Sequence, residues 1–393
     1  MHGEKKTDKK GRRKNLNVIE IEKKCVGCGV CVDICPVEAL RLSHNRDGFY
    51  KPVFSNNACI NCGKCQDVCP ALNCATRDVA PLFYYGWSTD EKIRKRSSSG
   101  GLFSVIAEHI IRDGGVVIGA KYSDDFKSVV MSSTEECELD ELRRSKYCQS
   151  FSNGIYQKIS QLLKSGKNVM MVGTPCQIAA ARRLFGDNPN LLLVDFLCGG
   201  VTPDTAFSDY IDYMEKKYRS RITSINMRDK KFGWSKPAIR IEFENGKVYL
   251  SRYQFDYYYY YNCTPFLKNE PCMTCSFTSH PDADITIADF WGYDAANVQK
   301  DKEGISLLCA YTNKGEETIQ SVKSNLVLHP LDAKYTTYAF QEKKHSEEEL
   351  DERESVLEKV RNSSFIEMAK SHRFKHGKIG ILSKIMIRKV LRK

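Results

Sequence analysis

The chain has 393 residues, 41% of them hydrophobic and 28% charged, with a formal net charge of +11. That length suggests two or three domains at roughly 150 residues each, and no apolar stretch approaches the roughly 18–20 uncharged residues of a membrane-spanning helix. The charge sits in the tails, with a net of +5 on residues 1–15 and +9 on residues 370–393; no zinc-finger, RNA-recognition or helix-turn-helix pattern accompanies it, so no nucleic-acid partner is expected.

Residues 1–16 read as a basic, disordered, solvated tail. The opening Met1-His2-Gly3-Glu4-Lys5-Lys6 lacks an apolar h-region, so no secretory signal is expected. Seventeen cysteines then point to a reducing, cytoplasmic setting in which thiolates stay available.

Residues 17–78 form the first expected domain. Cys25, Cys28, Cys31 and Cys35 precede Pro36, and 34 residues on Cys59, Cys62, Cys65 and Cys69 precede Pro70. Each is the C-x2-C-x2-C-x3-C-P run by which bacterial ferredoxins hold iron–sulfur clusters. Three closely spaced thiolates on a tight turn reach three irons of one cubane, and the fourth cysteine serves the cluster of the other repeat. The expected sets are Cys25, Cys28, Cys31 with Cys69, and Cys59, Cys62, Cys65 with Cys35. A zinc or disulfide reading explains neither the doubling nor the prolines. The apolar runs Val18–Ile21 and Ala39–Leu42 supply the module's small strands and helix.

After Ala80-Pro81 the pattern alternates strand and helix over residues 80–335, an α/β domain in a chain that is α+β overall. Ser97–Gly101 leads into a helix over Val105–Ile111, stopped by Gly114-Gly115, and Val116–Gly119 is a strand. Asn168–Val172 is a second strand, followed by Thr174 as N-cap, Pro175 at the first helical position and a helix over Gln177–Phe185. Leu191–Leu197 is a third strand. Ile239–Phe243 and Lys247–Leu250 form a hairpin across Asn245-Gly246, and Ile285–Ala288 is the last buried strand. Tyr257–Tyr261 reads as packing or interface surface.

The turn at Thr174 has free backbone N–H groups suited to an anion, and Ser97–Gly101 offers close backbone approach and hydroxyl donors to a phosphate, though a simply capped helix start explains either. Cys176, Cys198, Cys272 and Cys275 stand at helix starts, strand ends and turns, which in an α/β sheet converge on one edge. Their spacing admits a third 4Fe–4S cluster or scattered cysteines with a half zinc site. Cys74, Cys137, Cys148, Cys263 and Cys309 read as structural.

Residues 336–393 turn to Glu, Lys and Arg at helical spacing, a helical basic C-terminal extension. Ser383–Lys393 is basic and amphipathic, matching an anionic membrane surface, an acidic partner or a packed terminal helix.

Ser97–Gly101 with Val116–Ala120, Ser145–Ser150, Gly173–Ile178, Asp195–Gly200 and Asp284–Gly292 together resemble the coenzyme F420 hydrogenase/dehydrogenase beta subunit family, over about residues 80–335. The resemblance implies an FAD and iron–sulfur oxidoreductase. It implies a flavin site lined by Ser98, Ser99, Gly100, Gly101, Lys146, Tyr147, Gln149, Ser150 and Thr174, and a third 4Fe–4S cluster on Cys176, Cys198, Cys272 and Cys275. The sequence departs from the family at Cys198-Gly199-Gly200, where members often carry a histidine after the cysteine. Clusters carry single electrons, whereas a flavin exchanges one electron or two. The expected function is therefore a relay from ferredoxin or another redox protein, through three clusters and FAD, to an organic substrate or deazaflavin-like coenzyme, in either direction. A non-catalytic electron-transfer subunit of a larger hydrogenase or dehydrogenase complex is the alternative, and a cluster-bearing scaffold protein a third.

Overall fold

The computed structural model describes residues 23–375, apart from 56, 74–79, 137–138, 280–281 and 341–344. The first tail, the Val18–Ile21 run and the basic segment Ser383–Lys393 lie outside the described residues.

The cysteine-rich region forms two single-turn helices, Val30–Asp33 and Lys64–Asp67, and an antiparallel hairpin of Leu40–His44 with Tyr50–Phe54. The second strand was not legible because it begins Tyr50-Lys51-Pro52; a proline is tolerated in a strand that pairs on one side.

Among the described residues, the body is built on a nine-stranded sheet. Its centre is parallel: Val116–Tyr122, Val169–Gly173, Leu191–Phe196 and Ile285–Asp289 lie side by side. Antiparallel strands flank both sides, Ser306–Ala310, Leu82–Ser88 and Leu326–Pro330 on one and Val129–Thr134 on the other. Alternation along the central strands covers both faces. Val117, Met170 and Leu192 pack on Leu102 and Ile106 of helix Leu102–Arg112. Ile118, Met171 and Leu193 pack on Ile159 of helix Ile155–Lys164 and Ile178 of helix Pro175–Phe185. Ile285–Asp289 is thus not the last strand: two more follow, and they pair antiparallel, where a short apolar run after a loop leaves no α/β period to read.

Ile222–Asp229, Ala238–Phe243 and Val248–Arg252 form a three-stranded antiparallel sheet. The expected hairpin is present, with Gly246 at φ 78° in its turn. This sheet shares a core with helices Asp204–Tyr218, Tyr257–Asn262, Glu347–Asn362 and Phe365–Lys375. The tyrosine run is packing: Tyr258 and Tyr261 are fully buried. Their hydroxyls are satisfied, Tyr258 donating to the Tyr147 carbonyl at 2.6 Å and Tyr261 paired with His372 at 2.7 Å.

Candidate electron-transfer site

The two cysteine loops turn in the same way. Gly27 at φ 73° and its counterpart 34 residues on, Asn61 at φ 53°, are both left-handed, a region where Asn is the least strained residue after Gly. Cys25, Cys28 and Cys31 line one cavity of about 340 Å³ together with Cys69. Cys59, Cys62 and Cys65 line another, of about 800 Å³, together with Cys35. Cys28 and Cys31 are buried, and burial followed by the neighbouring thiols pushes both well above the usual thiol range. Cys59 and Cys62 are exposed.

A third cavity, of about 560 Å³, lies at the C-terminal edge of the parallel strands and is lined by Cys176, Cys198, Cys272 and Cys275. The strand–helix grammar of the body delivers them there. Cys176 follows Val169–Gly173 at the start of its helix, Cys198 follows Leu191–Phe196, and Cys272 sits on the short helix Glu270–Met273. The helix at Cys176 has Thr174 as N-cap and Pro175 at the first position, with the Thr174 N–H donating to Gln177 Oε1 at 3.0 Å. Thr174 Oγ1 stands 3.2 Å from Cys176 Sγ, and the Gly200 N–H donates to Cys198 Sγ at 3.3 Å. Burial and then Cys198 and Cys275 push Cys272 up to about 11, with Lys268 opposing. Four thiols, two of them with such polar neighbours, are a set suited to a 4Fe–4S cluster, whose irons favour the thiolate and whose potential responds to hydrogen bonds at sulfur. Among the described residues no three His, Cys, Asp or Glu side chains converge tightly enough for a single metal ion; a four-iron cubane spreads its sulfurs wider than the tetrahedron around one zinc.

Val26, Gly27 and Cys28 line both the first and the third cavity. The ferredoxin-like loop is fixed there by contacts that sequence did not indicate. Gln149 donates Nε2–H to the Tyr50 and Val26 carbonyls at 3.2 and 3.3 Å and accepts the Tyr50 N–H at 2.7 Å. Asp33 accepts the N–H groups of Gly154 and Tyr156 at 2.7 and 2.9 Å, capping helix Ile155–Lys164 from across the contact. The Tyr50 hydroxyl donates to Asp204 at 2.9 Å. The buried Lys51 donates to the Cys25 carbonyl and, at 3.2 Å, to Asn269 Oδ1.

The residues carried over from the family motifs lie along one path. Gln149, Ser150 and Thr174 line the third cavity. Tyr147 and Lys146 precede them, and the chain then reaches Ser145, whose N–H donates to Ser98 Oγ at 3.1 Å. Ser99 donates to the Ile305 carbonyl at 3.0 Å. Gly100 has a reason for being glycine that is unrelated to a ligand: a Cβ there would stand 2.6 Å from the Gly86 carbonyl oxygen of the neighbouring strand. Gln149 likewise has its amide engaged by the ferredoxin-like hairpin. Lys146 donates to the Arg143 carbonyl at 2.7 Å, and burial, reinforced by Arg144, lowers its ammonium to about 7. Three buried groups beside this path, Arg94 Nε, the Tyr122 hydroxyl and Arg228 Nε, have no hydrogen-bond partner among the described residues. Unmet buried donors of this kind call for an acceptor-rich ligand, so the residues present fit a flavin dinucleotide. Arg228 also pairs with Asp289 at 2.7 Å and reaches the Tyr147 hydroxyl at 3.4 Å; a single arginine in a polar strand gave no signal in the sequence. Of the remaining cysteines, Cys148 and Cys309 are buried, Cys263 is exposed, and Cys74 and Cys137 lie outside the described residues.

An α/β electron-transfer protein with a 4Fe–4S dicluster module is the class that this fold and these cysteines define, and residues 24–73 match the 4Fe-4S dicluster domain. Residues 83–154 match the N-terminal part, and residues 166–334 the C-terminal part, of the coenzyme F420 hydrogenase/dehydrogenase beta subunit. The chain belongs to that family, and is accordingly an iron–sulfur electron-transfer oxidoreductase. Among solved structures it is similar to a chain of the F420-reducing NiFe hydrogenase complex from Methanosarcina barkeri, with 16% identity and a TM-score of 0.48 over 71% of this chain and 91% of that one. No curated protein matches the chain. No helix among the described residues is long and apolar enough to cross a membrane.

Proposed function

We propose that this protein relays single electrons from two ferredoxin-type clusters, through a third cluster, to FAD for the two-electron reduction or oxidation of an organic substrate or deazaflavin-like coenzyme. Residues 17–78 act as the electron-carrying module, residues 80–335 as the oxidoreductase body and residues 336–393 as an extension, of which helices Glu347–Asn362 and Phe365–Lys375 share the body's core. Cys25, Cys28, Cys31 and Cys69 hold one cluster, Cys59, Cys62, Cys65 and Cys35 the second, and Cys176, Cys198, Cys272 and Cys275 the third. The observation that carries the reading is the wall shared by the first and third cavities, formed by Val26, Gly27 and Cys28. The exposed Cys59 and Cys62 make the second cluster the contact point for a ferredoxin or another redox protein of the cytoplasm.

Bound FAD supplies the exchange between one-electron and hydride chemistry. On this reading Ser98, Ser99, Gly100, Gly101, Lys146, Tyr147, Gln149, Ser150 and Thr174 flank it. Arg94 and Arg228 offer buried N–H donors to its oxygens. Lys146, with its ammonium near neutrality, takes or gives a proton at Nζ around pH 7. Gln149 and Thr174 line the third cavity, Gln149 fastening the first cysteine loop to the body and Thr174 standing beside Cys176 Sγ.

Anaerobic reconstitution followed by iron and flavin quantification tests this. About twelve irons and one flavin per chain are expected, three clusters of four. About eight irons would remove the third cluster, and absence of flavin would leave a non-catalytic wiring subunit.

A further inference from the structure

Two buried lysines meet at the segment that carries Cys272. Lys51, 4% exposed, reaches out of the ferredoxin-like hairpin to the Cys25 carbonyl and the Asn269 side chain. Lys268, 6% exposed, donates to the Gly200 carbonyl at 3.0 Å and to Asn262 Oδ1 at 3.1 Å. Asn269 is the N-cap of the helix holding Cys272, and the Cys272 N–H donates to its carbonyl at 2.9 Å. Gly200 is the residue whose N–H meets Cys198 Sγ. Lys268 thus holds the carbonyl of the residue whose N–H meets Cys198 Sγ, while Lys51 bridges the backbone of Cys25 in the first cavity and the residue that caps the Cys272 helix in the third.

A long charged side chain is rarely buried unless it is paired, and a buried ammonium keeps a strong field over its neighbours. A cluster gains negative charge on reduction, and an ammonium fixed beside it in a medium of low dielectric stabilises the reduced form. The exposed second loop offers no matching lysine among its cavity's buried residues: Lys64, which lines that cavity, is exposed.

We propose that Lys51 and Lys268 are positioning residues that raise the reduction potentials of the inner clusters, with Lys51 acting on the first and third together. The inference rests on the three-cluster reading above. Lys51 thereby ties two clusters to one charge, so that their potentials move in concert while that of the exposed cluster stays put.

The test is a redox titration of the reconstituted full chain followed by electron paramagnetic resonance, for the wild type and for Lys51→Gln, Lys51→Arg and Lys268→Gln. Lys51→Gln keeps a donor without the charge and is expected to lower the reduction equilibrium of the first and third clusters at least tenfold, about 59 mV for a one-electron couple. Lys51→Arg restores the wild-type values, and Lys268→Gln lowers the third cluster alone. Unchanged potentials in Lys51→Gln at full iron content would overturn the proposal, as would an equal shift in Lys51→Arg. An iron content of about eight in the wild type would count against the third cluster itself, and the first cluster's shift would then decide the role of Lys51 by itself.

Discussion

The two cysteine loops are one pattern placed in two environments. Position by position, Val26 stands against Ile60, Gly27 against Asn61 and Asp33 against Asp67. In the first loop every one of these faces protein. Val26 and Gly27 wall the third cavity, and Asp33 caps a helix of the body. In the second loop Ile60 is 61% exposed, and Asn61 and Asp67 are exposed as well. The cysteines repeat one iron-holding spacing, and the residues between them decide which loop docks on the body and which faces outward.

The sharpest way to break the comparison is to exchange the left-handed residues. A Cβ on Gly27 would overlap Gln149 Nε2 and the Tyr50 carbonyl oxygen, backbone and a committed amide that have no room to move. Gly27→Asn is expected to cost about 2–4 kcal/mol from overlap and lost docking. Asn61→Gly, which swaps in the reverse direction, is expected to change stability by only a few tenths of a kcal/mol. Chemical denaturation of the two variants checks this, and equal losses would mean that the first loop is not docked.

What the sequence made legible was the part with a period or a spacing. The doubled cysteine run, the strand–turn–helix around Thr174 and Pro175, and the Asn245-Gly246 hairpin all carry local chemistry that fixes their geometry. The docking of the loop was not legible, because Asp33, Lys51 and Gln149 meet partners more than 90 positions away and carry no local pattern. The motif glycine Gly100 shows a different limit of sequence reading. Its tightness against Gly86 is internal packing, which a sequence shows in the same way as an approach to a ligand.

Next in size is the aspartate pair. Asp33→Ala removes the acceptor of two N–H groups, that of Tyr156 buried, and is expected to cost about 1–3 kcal/mol, whereas Asp67→Ala stays within about 0.5 kcal/mol. The first penalty depends on pH. Burial, outweighing the N–H donors, raises the Asp33 carboxyl above the ordinary range. A carboxyl raised on folding contributes stability that is complete below its unfolded value near 4 and is lost as pH rises through the folded value. The gap between wild type and Asp33→Ala should therefore narrow from about pH 4 upward, while Asp67→Ala tracks the wild type throughout; denaturation midpoints over pH 4–8 measure both.

The smallest expected effect on stability is the most direct on function. Ile60 is exposed at the mouth of the second cavity, so Ile60→Ser removes apolar surface that only a partner would cover. Stability should stay within about 0.5 kcal/mol of the wild type. Val26→Ser, at the matching position inside, should instead lose on the order of 1–2 kcal/mol, because it carries a hydroxyl to the wall shared by two cavities. Stopped-flow reduction by an added ferredoxin separates the two loops. Ile60→Ser should slow the bimolecular step and leave later internal steps untouched, whereas Val26→Ser should leave the bimolecular step as it was. If both variants slow the same step equally, the loops are not ordered as outer contact and inner wire, and electrons reach the body by a route other than the second cluster.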